Sequence, residues 1–243
     1  MKKFGITLLL LVLISFPASG LAEKLIFATS EWPPYVTLKD GQPTGIMMDV
    51  VRELCKRLRI EEEIRVVPWK RALSYAKNGK ADAIFSVRYT EERSKFIYYL
   101  AEYMIEEKTV ILAQKGSGIR ITKLDDLKDK TIGVVRGYTY GTKFDKYQGL
   151  RKIINDNDEQ LINNFAKGRI TMAVSADEGV TRYLCKQIGV ETEVAYVIEN
   201  THSYIGFSKA KGEKGKAMAD KFSKTLKQLR IEGFIEKTLN KYF

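Results

Sequence analysis

The chain has 243 residues, with 41 Lys and Arg against 30 Asp and Glu and a formal net charge of +11. Its lysines stand singly along the sequence rather than bunched with aromatics, which points to a solvated surface and against a nucleic-acid groove. One histidine, His202, and two distant cysteines, Cys55 and Cys185, cannot assemble a metal cluster from the usual ligands. Neither a GxSxG elbow nor a GxxxxGK phosphate loop occurs, and no cofactor is expected.

The chain opens with Lys2 and Lys3, an apolar run from Ile6 to Phe16, and small or polar residues from Pro17 to Ala22. This is the pattern of a cleavable secretory signal, residues 1–22, with Gly20 and Ala22 as the small pair before the cut. The apolar run is shorter than the roughly 20 residues that span a bilayer. No cysteine stands there to take a lipid. A soluble, exported, periplasmic protein is expected, and without Lys2 and Lys3 its charge excess falls to about nine.

Lys24 to Ala28 reads as a strand, and Glu31-Trp32-Pro33-Pro34-Tyr35 as an irregular loop, since two prolines forbid helix and strand pairing alike. Asp40-Gly41 is a turn, and Ile46, Met47, Val50, Val51, Leu54 and Leu58 fall at helical spacing after Gly45. Glu63 to Val67 is a strand, Trp69 to Lys77 a helix, and Ala81 to Val87 a buried strand entered from Asn78-Gly79. That alternation predicts a parallel-type sheet covered by helices. Thr90 with Glu91 and Glu92 reads as the cap and acidic first turn of a short helix carrying Arg93. A strand end running into a helix start beside an arginine suits a small carboxylate; the alternative is a surface arginine paired with Glu91 or Glu92.

Farther on, Thr109 to Ala113 is a strand, Leu124 to Leu127 a short helix, Thr131 to Val135 a strand, and Arg136 to Gly141 a turn. Arg151 to Ile154 and Ile170 to Ser175 are strands around a helix from Glu159 to Ala166. A helix from Asp177 to Ile188, strands at Val194 to Ile198 and Tyr204 to Phe207, and helices at 215–229 and 232–241 complete the chain. Cys55 and Cys185 sit on apolar helix faces and read as small buried hydrophobes. An internal echo aligns Ala76 to Ser86 with Ala166 to Ser175, matching Gly79 to Gly168 and Ser86 to Ser175. Two α/β lobes, with strand-end loops facing a common crevice, follow from it.

In their order and spacing, the loop at Trp32 to Tyr35, the Gly45 to Asp49 stretch, Gly79-Lys-Ala-Asp82, Thr90-x-x-Arg93, Leu124-x-x-Leu127 before Ile132-Gly-Val134, and Asp177 opening a helix resemble the type II periplasmic solute-binding proteins, family 3, which serve polar amino-acid ABC importers. The likeness covers essentially the whole mature chain. It implies an α/β, two-lobed periplasmic-binding-protein fold, with the ligand cleft between lobes joined by a two-crossing hinge. Residues 23–112 with 207–243 are expected in lobe 1 and residues 113–206 in lobe 2, closing on a ligand. By the same resemblance Arg93 takes a ligand carboxylate, Asp177 an ammonium group, Trp32 and Trp69 flank the side chain, and the loop holding Arg136 and Thr139 completes the site. A zwitterion leaving water requires such a cation and anion in any case.

The chain departs from the pattern where such binders place Gly and a hydroxyl residue and it has Ser86 and Arg88, and where they place an acid and it has Thr29. If Arg88 faces the cleft, an acidic amino acid or small dicarboxylate fits; if it turns away, Glu91 or Glu92 is its partner. The expectation is a monomeric, non-enzymatic binding protein that passes a small carboxylate-bearing solute, foremost an amino acid, to an ABC permease in the inner membrane, with no nucleic-acid partner. Two alternatives stand beside it. One is a cyclohexadienyl- or arogenate-dehydratase-like enzyme on the same fold, with Glu178 as the acid. The other is a free-standing sensory binding protein.

Overall fold

The computed structural model describes residues 23–242; the expected signal sequence lies outside them. In chain order the elements begin with β1 (Glu23–Thr29), β2 (Thr37–Lys39), β3 (Gln42–Thr44), α1 (Ile46–Leu58), β4 (Ile60–Val66), α2 (Trp69–Lys77), β5 (Ala83–Arg88), α3 (Glu91–Ser94), β6 (Ile97–Tyr99) and β7 (Ile105–Gln114). A 3₁₀ turn at Leu124–Leu127 leads to β8 (Thr131–Val135), α4 (Thr142–Lys146), β9 (Arg151–Asn155), α5 (Asp158–Ala166), β10 (Met172–Ser175) and α6 (Glu178–Gln187). Then come β11 (Thr192–Ser208), α7 (Gly212–Ile231) and α8 (Phe234–Tyr242).

One curled sheet runs β4-β1-β5-β11-β7-β10-β8-β9, with β6 beside β11. Its two ends are parallel, as helix-separated strands require, while the middle is antiparallel: β11 runs against β5, β6 and β7, and β10 against β7. The two strands expected near 194–198 and 204–207 are a single element, β11. Its polar stretch Glu199 to His202 pairs with Thr109 to Glu106 and stays extended. β7 and β11 are the two crossings between the lobes. One core gathers Leu25, Phe27, Val51 and Leu54 with Ile205, Phe207 and Phe222, and a second gathers Ile111, Ile132, Phe144 and Val174; two smaller clusters centre on Ala72 and Ile84 and on Leu161 and Phe165.

The echo in the sequence is a structural one. Gly79 after α2 and Gly168 after α5 both turn the chain at positive φ, 69° and 70°, into strands β5 and β10. Cys55 and Cys185 are buried and unbridged. No helix among the described residues is long and apolar enough to cross a membrane.

Candidate functional site

The loop after β1 is held by the helix that follows it. Trp32 and Val36 exchange backbone bonds at 2.8 and 2.9 Å, and the Pro34 and Tyr35 carbonyls accept from the first N–H groups of α1, Ile46 and Met47. Gly45 lies beneath with φ 117°, where a Cβ would stand 2.5 Å from the Tyr35 carbonyl oxygen, so glycine alone fits. The rings of Trp32 and Tyr35 are thereby brought together, 4.7 Å between centroids and tilted by 34°. Among the described residues, the indole N–H of Trp32 is buried without a partner.

Strand β5 supplies the next wall through an irregularity. Val87 and Phe85 pair with Tyr204 and Ile205, which leaves Ser86 as an extra residue, at φ 60°. A bulge of this kind re-aims a side chain at the cost of local strain. The Ser86 hydroxyl is buried and, like the Trp32 indole, has no partner among the described residues. Beyond it Thr90 caps α3 by accepting from Arg93 N at 3.1 Å, fixing the single turn that carries Arg93.

The Arg93 guanidinium is 7% exposed, donates to the Arg88 and Gly137 carbonyls at 3.2 and 3.1 Å, and lies over the Trp69 ring at 5.6 Å. Among the described residues no carboxylate forms an ion pair with it. Burial depresses its proton affinity below an arginine's ordinary value.

Arg88 faces the cleft rather than Glu91 or Glu92. Its Nε lies 2.5 Å from Glu107 Oε2, and its other nitrogens donate to the carbonyls of Thr139, at 2.9 Å, and Ala176. Burial raises the Glu107 carboxyl and the Arg88 charge opposes the rise, so the short contact is a charge-assisted pair taken out of water.

The opposite wall is set by the loop after β8. Asp145 accepts from Thr139 Oγ1 at 2.5 Å and from Tyr140 N at 3.1 Å, and Tyr138 donates its hydroxyl to Asp158 at 2.6 Å. Burial pushes Asp158 up to about 6, against the Tyr138 bond. The Tyr138 ring meets Trp69 edge-on at 6.3 Å. Asp177 caps α6 through Val180 N and also accepts from Lys108 N and the Tyr35 hydroxyl, each at 3.2 Å. The Tyr35 contact joins the two lobes, and burial raises the Asp177 carboxyl.

These walls line a cavity of about 30 Å³, room for a water or two. Of the residues singled out in the sequence, Trp32, Trp69, Ser86, Arg88, Arg93 and Thr139 line it together. Asp177 does not; it lies one residue beyond Ala176, which does. Arg136, expected in the cleft, is instead half exposed and 3.0 Å from Asp156; of its loop, Tyr138 and Thr139 line the cavity. Glu107 and Ser30 line it as well, beyond the residues expected from the sequence, as does Tyr138 of the expected loop. For Glu107 a signal existed: Ile105, Glu107 and Thr109 alternate with exposed Glu106 and Lys108 and so share the inner face of β7.

A model of the family described as bacterial extracellular solute-binding proteins, family 3, matches residues 25–243. The lysine/arginine/ornithine-binding periplasmic protein of Escherichia coli K12 is 28% identical, over 100% of this chain and 97% of its own. A crystal structure of a mutant ArgBP from T. maritima superposes with a TM-score of 0.79 at 22% identity, covering 90% of this chain and 95% of that one. Another, the substrate-binding protein of an amino acid ABC transporter, superposes at 0.76 and 23% identity, covering 90% and 99%.

Proposed function

Because this chain belongs to the bacterial extracellular solute-binding proteins, family 3, we infer that its cavity captures a carboxylate-bearing solute, an amino acid, for an ABC importer. One observation carries this. Among the described residues, Arg93 is a buried cation whose hydrogen bonds go only to carbonyl oxygens, in a wall that also holds two buried donors without acceptors, Trp32 Nε1 and Ser86 Oγ. Buried donors without partners are costly, and an anionic, acceptor-rich group would satisfy all three.

Asp177 is the acid available to the ammonium group, once the Tyr35 hydroxyl gives up its place on the carboxylate. A volume of about 30 Å³ is too small for an amino acid, so binding requires the lobes to part. We place the pivot in the two crossings, between Ile105 and Ile111 and between Ile198 and Ile205. There the packed neighbours change from one core to the other. This refines the division into residues 23–112 with 207–243 and residues 113–206. The protein acts as a monomeric, periplasmic binding protein rather than an enzyme. In support, the relative and the two structures named above carry the names of binding proteins.

A thermal-shift screen of amino acids, dicarboxylates and their amides tests this. A ligand at a hundred times its dissociation constant stabilises by about 2.7 kcal/mol, well within detection. Melting temperatures raised only by sugars, metals or peptides would refute the carboxylate class. Turnover of prephenate or arogenate to an aromatic product would return the enzyme alternative.

A further inference from the structure

Three charged side chains line the cavity among the described residues: Arg88, Arg93 and Glu107. Two of them cancel. Arg88 and Glu107 are 2.5 Å apart with 7% and 2% of their side chains exposed, and the remaining Arg88 nitrogens are taken by two carbonyls of the opposite wall. Glu199, 4.0 Å from Arg88, is more than a third exposed and lies outside the lining. What remains uncancelled in the wall is Arg93.

With a ligand carboxylate on Arg93 and its ammonium on Asp177, the wall has no charge left for a side chain. We propose that the Arg88–Glu107 pair determines specificity: it shows the ligand side chain a self-neutralised wall, so the protein selects amino acids with uncharged side chains and rejects acidic and basic ones. This rests on the carboxylate-binding role proposed above. An acidic side chain entering the cavity would have to pull Arg88 from Glu107, and a basic one Glu107 from Arg88. Each exchange strands one buried charge without its partner, which a site shielded from water penalises heavily. An amide, hydroxyl or aromatic side chain breaks nothing, and the rings of Trp32, Trp69 and Tyr138 offer it apolar faces. The selectivity so defined differs from that of the relative named for lysine, arginine and ornithine.

Calorimetric titration of the protein with the twenty common amino acids, grouped by side-chain charge, tests the proposal. The tightest binders should be uncharged, with acidic and basic amino acids weaker by about tenfold or more. Glu107→Gln, which releases Arg88, should raise glutamate relative to the tightest uncharged ligand by about tenfold. Arg88→Gln, which releases Glu107, should raise lysine relative to that ligand by a similar factor. A parent protein that prefers glutamate, lysine or arginine overturns the proposal, and so do two folded variants that keep the parental order. Should a variant fail to fold by circular dichroism, the parental order alone decides. If no carboxylate-bearing compound binds the parent, the role proposed for the cavity fails and this inference with it, a result distinct from binding with charged side chains preferred.

Discussion

Trp69 and Arg93 converge on one atom. The indole N–H and a guanidinium nitrogen both donate to the Gly137 carbonyl oxygen, at 3.2 and 3.1 Å. One peptide oxygen of the loop after β8 thus ties the start of α2 and the turn after β5 to the facing lobe. Trp69, which could have served only to anchor its helix to the sheet, is part of that junction.

A ligand carboxylate competes with that carbonyl for Arg93, and brings a full negative charge and a second oxygen for a bidentate contact that a peptide carbonyl lacks. Arg93→Ala would leave the carboxylate buried without its partner, at a cost of about 2–5 kcal/mol. Titration of the ligand found by screening should show a loss of two orders of magnitude or so. Parental affinity in a folded Arg93→Ala protein would place the carboxylate elsewhere.

Asp177 has two separable duties. Asp177→Ala removes the α6 cap and should cost about 1 kcal/mol of stability. Asp177→Asn keeps an acceptor for Val180 N and should hold most of the stability while still losing amino-acid affinity, because an amide cannot neutralise an ammonium group. Denaturant melts and titrations of both variants separate the two. An Asn variant that binds as the parent does would release Asp177 from the site.

Breaking the buried pair from one side should be far worse than replacing it. Arg88→Met strands Glu107, with an expected loss of about 3–5 kcal/mol. Arg88→Met combined with Glu107→Leu should recover most of that. The urea midpoints of single and double variants give the coupling directly; additive losses would mean that the two side chains act independently.

The Asp158 carboxyl is held at about 6 in the folded chain against 3.8 in water, so the folded state takes up its proton first as the pH falls. Above pH 6 the fold carries a buried charge that the unfolded chain keeps hydrated, a penalty of about 3 kcal/mol. It is relieved between pH 6 and pH 4. Glu107, Asp177 and Glu199 are raised in the same direction, so the parent should gain stability on mild acidification, and Asp158→Asn should gain less. Identical slopes for both between pH 7 and pH 5 would contradict the burial argument.

Gly45 pays twice if replaced. Its φ of 117° costs a side-chain-bearing residue about 1–3 kcal/mol, and an added Cβ would also press on the Pro34 and Tyr35 carbonyls at 2.7 and 2.5 Å. Gly41, also at positive φ but with nothing within 4 Å, pays the conformational part alone. The difference between Gly45→Ala and Gly41→Ala in urea unfolding measures the contact under the Trp32 loop. Equal losses would mean that the loop yields freely.

Helices with a clean apolar stripe were legible in the sequence: Trp69 to Lys77 is α2 to the residue, and Thr90 caps the turn it was expected to cap. β11 was split because Glu199 to His202 breaks the apolar run, although backbone pairing with β7 holds a polar strand in place where the lobes cross. Arg136 looked like Arg93 in composition, a cation after a strand. The direction of its side chain depended on Asp156, across the neighbouring strand, and no local pattern encodes that. Glu107 escaped for the converse reason, since an acid in a charged run looks solvated until its partner, 19 residues away, is known to face it.

The core that joins the two ends of the chain also dictates an order of assembly. Phe27, near the start of the described chain, packs against Phe207 and Phe222, with ring centroids 6.3 and 5.9 Å away, so that core cannot close until α7 has been made. The other core draws its members from Ile111 to Ile198 and lacks nothing once β11 has begun. A chain lengthening from its N-terminus therefore completes its middle before its beginning. Until then Leu25, Phe27 and the apolar face of α1 wait without their final partners, and a stop before α7 leaves that surface open to solvent and to other chains.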